Sequence, residues 1–196
     1  MKRAVLLFFV ISLGFILLAR YQAEDPEPVE EKPIVEDKKP VLEEPNRLFI
    51  TEKTDSFELE FGTGWKVSPN GEKEAAIEGR GPDSVEEGEG VLVVKEGETT
   101  TLFSWPADEK QETVKYVEWK DDTHVYVIVG FSQGTVTKGG SLYELNVETG
   151  DTKEVVISND PKEEVVLVNV EEGTYTLHTY EDDNFMNGST EEIPLP

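Results

Sequence analysis

No cysteine occurs among the 196 residues, histidine occurs twice, and 18 basic residues stand against 42 acidic ones. Without cysteine the chain has no disulfide, no thiolate zinc site, no cysteine nucleophile and no cysteine that could carry a lipid. The formal net charge of −24 repels a phosphate backbone, so the composition predicts that no nucleic acid is bound. The sequence also has no phosphate-cradling glycine motif, and it predicts no cofactor.

Near the N-terminus, 16 uncharged residues (4–19) lie between Lys2-Arg3 and Arg20. A helix over this run would rise about 24 Å, against about 30 Å for the hydrocarbon core of a bilayer. The basic end predicts that the N-terminus stays in the cytoplasm and that the remainder is exported. Both candidate cleavage sites, after Ala19 and Ala23, place a bulky residue at −3, which favours an uncleaved anchor. We therefore expect 1–20 to be a single-pass signal anchor contacting the membrane through 4–19, with secretion after signal cleavage as the alternative.

Five of the eleven prolines and nine acidic residues lie in 21–46. Proline disfavours helix, repeated like charges extend a chain, and little apolar surface is available for burial. This segment is predicted to be a disordered acidic stalk. The remaining residues, 47–196, carry 33 acidic and 12 basic side chains and are predicted to form one domain outside the cell.

After residue 46 no stretch of ten residues has helical periodicity, and short β-branched and aromatic runs alternate with turn residues. This texture predicts an all-β domain of antiparallel meanders. The predicted strands are 48–51, 57–61, 63–67, 73–78, 91–95, 100–104, 114–119, 124–130, 141–147, 153–157, 164–170 and 174–180.

The domain contains an internal repeat: Trp65 and Trp119 are 54 positions apart, and Gly97 and Gly150 follow at matching places. The segments Trp65-Lys-Val-Ser-Pro-Asn-Gly71 and Leu142-Tyr-Glu-Leu-Asn-Val-Glu-Thr-Gly150 resemble TolB-type blades of β-propellers. Each copy of the repeat is predicted to be a four-stranded meander, and a third, incomplete copy is predicted from Val165. Because a closed propeller needs at least four blades, we expect an open propeller-like stack or a sandwich. Strands at 48–61 and 164–180 should cover its hydrophobic faces.

The block from Val127 to Asn146 also resembles a signature of a family of uncharacterised extracytoplasmic proteins of Gram-positive bacteria. In that family a strand ends in a glycine-rich loop and the chain re-enters the sheet at a Leu-Tyr pair, here Leu142-Tyr143. The resemblance implies an extracytoplasmic location and this fold, and no activity.

One enzymatic motif is present, since Gly130-Phe-Ser-Gln-Gly134 matches the G-x-S-x-G nucleophile elbow of α/β-hydrolases. The order Ser132, Asp160 (or Asp151), His178 also fits that class, so a cell-envelope hydrolase is the alternative function. However, Thr135–Gly140 is a poor helix start, and no crossover helices exist to build a parallel sheet. A hairpin connection whose glycines supply positive φ is therefore favoured, and we expect no catalytic residues.

Acidic pairs at strand ends provide oxygen atoms of the kind that Ca²⁺ prefers. The alternative metal ligands are Asp121, Asp122, Asp182 and Asp183, although the sequence after Asp183 fails the EF-hand pattern. His124 and His178 could approach each other as a zinc pair, but no third ligand is evident. Solvated surface charge is the favoured interpretation, with no metal.

These observations predict a membrane-tethered extracytoplasmic sensor, scaffold or binding module without catalytic activity, whose protein or small-molecule partner is unidentified. Such domains bind through loops at one end of their sheets. The loops 79–90 and 130–140 are the candidates. The predicted binding residues are Gly130, Phe131, Ser132, Gln133, Gly134, Lys138, Gly139 and Gly140.

Overall fold

The computed structural model describes residues 45–83, 88–107, 109–133 and 137–196. The predicted anchor, 4–19, and nearly all of the predicted stalk lie outside this part of the chain. Within it every regular element is a β-strand, and no helix is long and apolar enough to cross a membrane. The strands are β1 (Ile50–Thr54), β2 (Lys66–Val67), β3 (Lys73–Glu78), β4 (Val91–Glu96), β5 (Thr99–Ser104), β6 (Glu112–Trp119), β7 (His124–Phe131), β8 (Ser141–Asn146), β9 (Thr152–Val156), β10 (Glu163–Asn169), β11 (Thr174–Tyr180) and β12 (Gly188–Pro194).

The strands form three sheets in which all neighbouring pairs are antiparallel. The first sheet has the order β1-β5-β4-β3-β2, the second is the meander β6-β7-β8-β9, and the third is the meander β10-β11-β12. The predicted all-β antiparallel class is therefore confirmed. The three sheets of the described residues do not close into a propeller.

The second sheet lies between the other two, and the alternation of side chains along β7 explains how. Val125, Val127 and Val129 point to one face and join a core with residues of the first sheet such as Phe103. Tyr126 and Ile128 point to the opposite face and join a second core with residues of the third sheet. A strand buried on both faces loses the polar alternation of a surface strand, as the sequence HVYVIVGF does.

Two polar contacts tie the first sheet to the second. The indole Nε1 of Trp119 donates to the carbonyl oxygen of Lys66 (2.8 Å). The buried ammonium of Lys73 lies 3.1 Å from a carboxylate oxygen of Glu148 and 3.5 Å from one of Glu96. Burial opposes the charged form of Lys73, but its hydrogen bond to Glu148 and both carboxylate charges outweigh burial and raise the Lys73 pKa.

The predicted strand 57–61 was wrong, although its pattern alternates strictly. The connection from β1 to β2 runs between opposite edges of the first sheet, so 55–65 crosses that sheet instead of joining a ladder. The carboxylate of Glu78 accepts hydrogen bonds from the N–H groups of Glu60 (3.0 Å) and Phe61 (2.9 Å). These two donors are therefore satisfied without a neighbouring strand. The apolar side chains Phe57 and Leu59 are half-buried all the same.

Three further boundaries differ from the prediction. The first strand lies at Ile50–Thr54 and extends the edge of the first sheet beside β5, so it does not cover a sheet face. Of the predicted strand 63–67, two residues form β2. The sequence missed β12 because Ile193 is the single large apolar residue in GSTEEIP.

Candidate functional site

A cavity of about 550 Å³ opens at the end of the second and third sheets. Three connections form it: the loop between β7 and β8, the loop before β10, and the loop between β11 and β12. We call it the Gly-loop cavity. Its described walls are Glu112, Val129, Gly130, Phe131, Gln133, Thr137, Gly139, Gly140, Ser141, Ser158, Asp160, Pro161, Glu163, Glu164, Asn184 and Phe185.

Five of the eight predicted binding residues line this cavity: Gly130, Phe131, Gln133, Gly139 and Gly140. Ser132 and Lys138 belong to the same loop but are not among the wall residues. Gly134 lies outside the described residues. The second candidate loop, 79–90, contacts the first through the N–H of Gly88, which donates to the carbonyl oxygen of Ser132 (3.2 Å).

The glycines of this loop serve close packing of backbone on backbone. A Cβ atom on Gly130 would overlap the carbonyl oxygen of Gly139, and one on Gly139 would overlap that of Val165. A Cβ on Gly140 would overlap the carbonyl oxygen of Val129. None of these three glycines has a positive φ, so the expectation that they supply left-handed turn conformations was wrong. They let three chain segments approach within backbone contact at the cavity wall.

Glu164, on β10, fixes the end of the loop. Its buried carboxylate accepts the N–H groups of Lys138 (3.1 Å) and Gly139 (3.0 Å) and the hydroxyl of Tyr180 (2.6 Å). Next to it, Gly140 and Val165 exchange two backbone hydrogen bonds of 3.0 and 2.8 Å. A buried carboxylate with three donors is satisfied, and it holds the loop against the third sheet.

Lys115 supports the loop from the second sheet. The register of β6 shifts between Val114 and Tyr116, which makes Lys115 the extra residue of a bulge. Its Nζ donates to the carbonyl oxygen of Thr137. Burial lowers the Lys115 pKa to about 8; the nearby charge of Glu164 opposes this shift, whereas that of Arg80 adds to it.

Phe185 supplies an aromatic wall in an unusual backbone conformation. Its φ is +57°, a value that bulky residues rarely adopt. The carboxylate of Asp182 holds this turn by accepting the N–H groups of Asn184, Met186 and Asn187 at 2.9 to 3.1 Å. The Phe185 ring then packs edge-on against Tyr180, with centroids 5.1 Å apart. Strained residues of this kind cluster at functional sites.

Among the described residues, no hydrogen bond joins Ser132, Asp160 and His178, the residues of the alternative hydrolase. Ser132 is buried, its Oγ accepts a hydrogen bond from Nε2 of Gln133 (3.3 Å), and neither histidine is among its partners in the described residues. His178 lies on β11 against Tyr180, with ring centroids 4.4 Å apart. The described residues after Ser132 lead into β8 without a helix, and every sheet is antiparallel. The nucleophile elbow needs a following helix and a parallel sheet.

The carboxylate of Asp121 holds a turn. It accepts the N–H groups of Thr123 and His124 (both 2.8 Å) and contacts the His124 ring at 3.0 Å. Burial opposes its charged form, but these hydrogen bonds prevail and lower the Asp121 pKa to about 2. Asp122 accepts the N–H of Asn70 (2.8 Å).

The second acidic pair is engaged in the same way. Asp182 holds the 182–187 turn, and its bond from the N–H of Met186, followed by those from Asn187 and Asn184, lowers its pKa. Asp183 is exposed and lies 2.6 Å from the ammonium of Lys162. Within the described part of the chain no three acidic, histidine or cysteine side chains are placed to hold a metal ion.

Sequence reasoning missed the other walls of the cavity. Asp160, which belongs to the alternative hydrolase set, lines the cavity, where its Oδ1 accepts the N–H of Lys162 (2.9 Å). Glu164 was the first residue of the predicted strand 164–170, and neither Glu163 nor Glu164 was assigned a role. An acidic residue directly before the buried Val165 is the one signal that could have indicated a buried polar contact there. Nothing local in the sequence indicates the conformation of Phe185.

The comparisons with known proteins come from a family model and from solved structures; no curated protein matches the chain. The crystal structure of a protein from Clostridium novyi NT, provisionally described as a conserved lipoprotein, superposes with a TM-score of 0.69. The two sequences are 30% identical, and the match covers 78% of this chain and 99% of that one. The model of a domain of unknown function, DUF4652, matches residues 21–195. The chain therefore belongs to the DUF4652 family.

Proposed function

We propose that this protein is a membrane-tethered extracytoplasmic module that binds a ligand in the Gly-loop cavity and does not catalyse a reaction. The observation that carries the proposal is the construction of the cavity. Three loops from two sheets converge on it, and buried polar groups hold the loop that contains Gly139. Ligand sites are commonly preformed concave surfaces of about 300–1,000 Å³ with apolar walls and a few polar groups.

The proposed location rests on the N-terminal sequence and on the relative from Clostridium novyi. That relative is described as a lipoprotein, and lipoproteins are held at a membrane by a covalent lipid. The present chain has no cysteine to carry such a lipid. The uncharged run 4–19, preceded by Lys2-Arg3, would replace the lipid as the anchor, and the acidic segment that follows would separate the domain from the bilayer.

The absence of native cysteine makes the location directly testable. Cysteines introduced separately at Lys2 and at Glu172, an exposed turn residue, are treated in intact cells with a maleimide that cannot cross membranes. The proposal predicts that Glu172→Cys is labelled in intact cells, whereas Lys2→Cys is labelled only after the cells are permeabilised. Labelling of Glu172→Cys that also needs permeabilisation would place the domain in the cytoplasm and contradict the proposal.

The binding role is tested with a photoreactive phenylalanine analogue in place of Phe131, in the cavity wall. The matched control carries the same analogue at Val67, an edge position of similar exposure (55% against 45% for Phe131). After irradiation of intact cells, mass spectrometry of the purified chain should find a defined adduct at position 131 and none at position 67. Identical adducts at both positions, or none at either, would refute the assignment of the cavity.

A further inference from the structure

The charge of the Gly-loop cavity is one-sided. Its described walls contain four carboxylates, those of Glu112, Asp160, Glu163 and Glu164, and no lysine, arginine or histidine. Glu164 is compensated, because it accepts three hydrogen bonds and lies near Lys115, whereas Asp160 and Glu163 are exposed carboxylates. The cavity therefore presents an excess of negative charge to whatever enters it.

Asp160 and Glu163 contribute most clearly to this excess. Neither forms an ion pair within the described residues. The ammonium closest to them in sequence, that of Lys162, is 2.6 Å from a carboxylate oxygen of Asp183, outside the wall. The Lys162 ammonium also interacts electrostatically with Asp160. An anion entering the cavity would still meet more negative than positive charge, whereas a cation would reduce that excess.

The rest of the wall is apolar and partly aromatic. Phe131 and Phe185 supply rings, and Val129 and Pro161 supply aliphatic surface. Two exposed apolar residues adjoin wall residues in the chain: Ile157 precedes Ser158, and Met186 follows Phe185. Aromatic faces attract cations as well as apolar groups.

We propose that the Gly-loop cavity binds an organic cation, an ammonium or guanidinium group attached to an apolar body of drug-like size. This inference rests on the proposed binding function and specifies its ligand class. The apolar body packs against Phe131 and Phe185, and the charged group lies near Asp160 and Glu163. The overall negative charge of the protein raises the local concentration of cations and so increases the association rate.

The test compares three probes that share one apolar body: phenethylammonium, 2-phenylethanol and phenylacetate. Their binding to the full chain in lipid nanodiscs is measured by titration calorimetry at 20 and 200 mM salt. The Debye length differs about threefold between these two salt concentrations, so electrostatic attraction is screened more strongly at the higher one. We expect phenethylammonium to bind at least tenfold more tightly than 2-phenylethanol at low salt, and phenylacetate to bind most weakly. The preference for the cation should shrink at high salt.

A double variant in the cavity wall and a control variant on a distant turn locate the effect. Asp160→Asn combined with Glu163→Gln should weaken phenethylammonium binding at least tenfold and leave 2-phenylethanol within twofold. The Asn side chain keeps an acceptor for the N–H of Lys162, so the fold is retained, which the thermal midpoint verifies. Glu172→Gln, on the turn at the opposite end of β10, should leave both affinities within twofold.

The outcomes separate the two proposals. Equal affinity for all three probes, or tightest binding of phenylacetate, would overturn the cationic ligand class and leave the cavity as a binding site. An equal effect of Glu172→Gln and the double variant would overturn the assignment of Asp160 and Glu163. No binding of phenethylammonium would also overturn the inference, and the photocrosslinking at Phe131 then decides independently whether the binding function stands.

Discussion

Gly139 offers the sharpest test of how the cavity loop is built. A methyl group there would overlap the carbonyl oxygen of Val165, which belongs to the neighbouring sheet and cannot rotate away. Overpacking of this kind costs about 1–3 kcal/mol. If the loop moves outward instead, it loses the two backbone bonds between Gly140 and Val165, each worth about 1 kcal/mol. We therefore predict that Gly139→Ala lowers the free energy of unfolding by about 2–3 kcal/mol.

Two other glycines separate steric overlap from the general effect of replacing glycine. Gly173 has a φ of +66° and open space around it, so Gly173→Ala should cost about 1 kcal/mol through backbone strain alone. Gly64 has open space and no positive φ, so Gly64→Ala should be neutral or stabilise by up to about 1 kcal/mol. Urea unfolding of the full chain measures all three. A Gly139→Ala variant as stable as Gly64→Ala would refute the close-packing explanation.

Three further predictions concern single side chains. Phe185→Asn should relieve the strain of the positive φ and so keep the free energy of unfolding within about 1 kcal/mol of wild type. Titration calorimetry should show at least fivefold weaker phenethylammonium binding. A large loss of stability would contradict the strain argument. Tyr180→Phe removes the hydroxyl that donates to the buried Glu164 carboxylate and should cost about 1.5–3 kcal/mol in urea unfolding, whereas no change would show that this bond is dispensable. Lys73→Met should lower the free energy of unfolding by about 1–2 kcal/mol. The loss is this small because the Glu148 and Glu96 side chains are at least half-exposed, so their carboxylates regain water when the ammonium is removed. Because folding raises the Lys73 pKa, the stability advantage of wild type over Lys73→Met should be full below about pH 10 and should shrink as the pH rises above the unfolded pKa of about 10.5. A stability difference that does not change with pH up to 12 would contradict this explanation.

The strands of the two buried cores could be predicted from the sequence because their side chains follow the period of the sheet. The double-sided burial of β7, for example, is visible in its uninterrupted apolar residues. The segment 57–61 shows the limit of that reasoning. Phe57 and Leu59 are half-buried as alternation suggests, but Phe61 is exposed. Glu78 accepts hydrogen bonds from the backbone N–H groups, and no ladder forms.

The candidate site could be predicted in part. The loop 130–140 was identified by its glycines, but their role was misjudged, since close approach to Val165 and Val129 depends on strands distant in the sequence. The same applies to Glu164, whose partners lie in the loop and on β11. A single sequence carries no signal for such pairings until the topology is known.

The central claim is that the Gly-loop cavity is the binding site, and chemical-shift mapping tests it most directly. The ¹⁵N-labelled full chain in nanodiscs is titrated with phenethylammonium while backbone amide resonances are followed. The account predicts that the largest shifts fall on the loop around Gly130 and Gly139, on Ser158–Glu164 and on Phe185. Largest shifts in the separate groove lined by Lys66, Tyr116 and Leu167, or shifts in neither place, would contradict it.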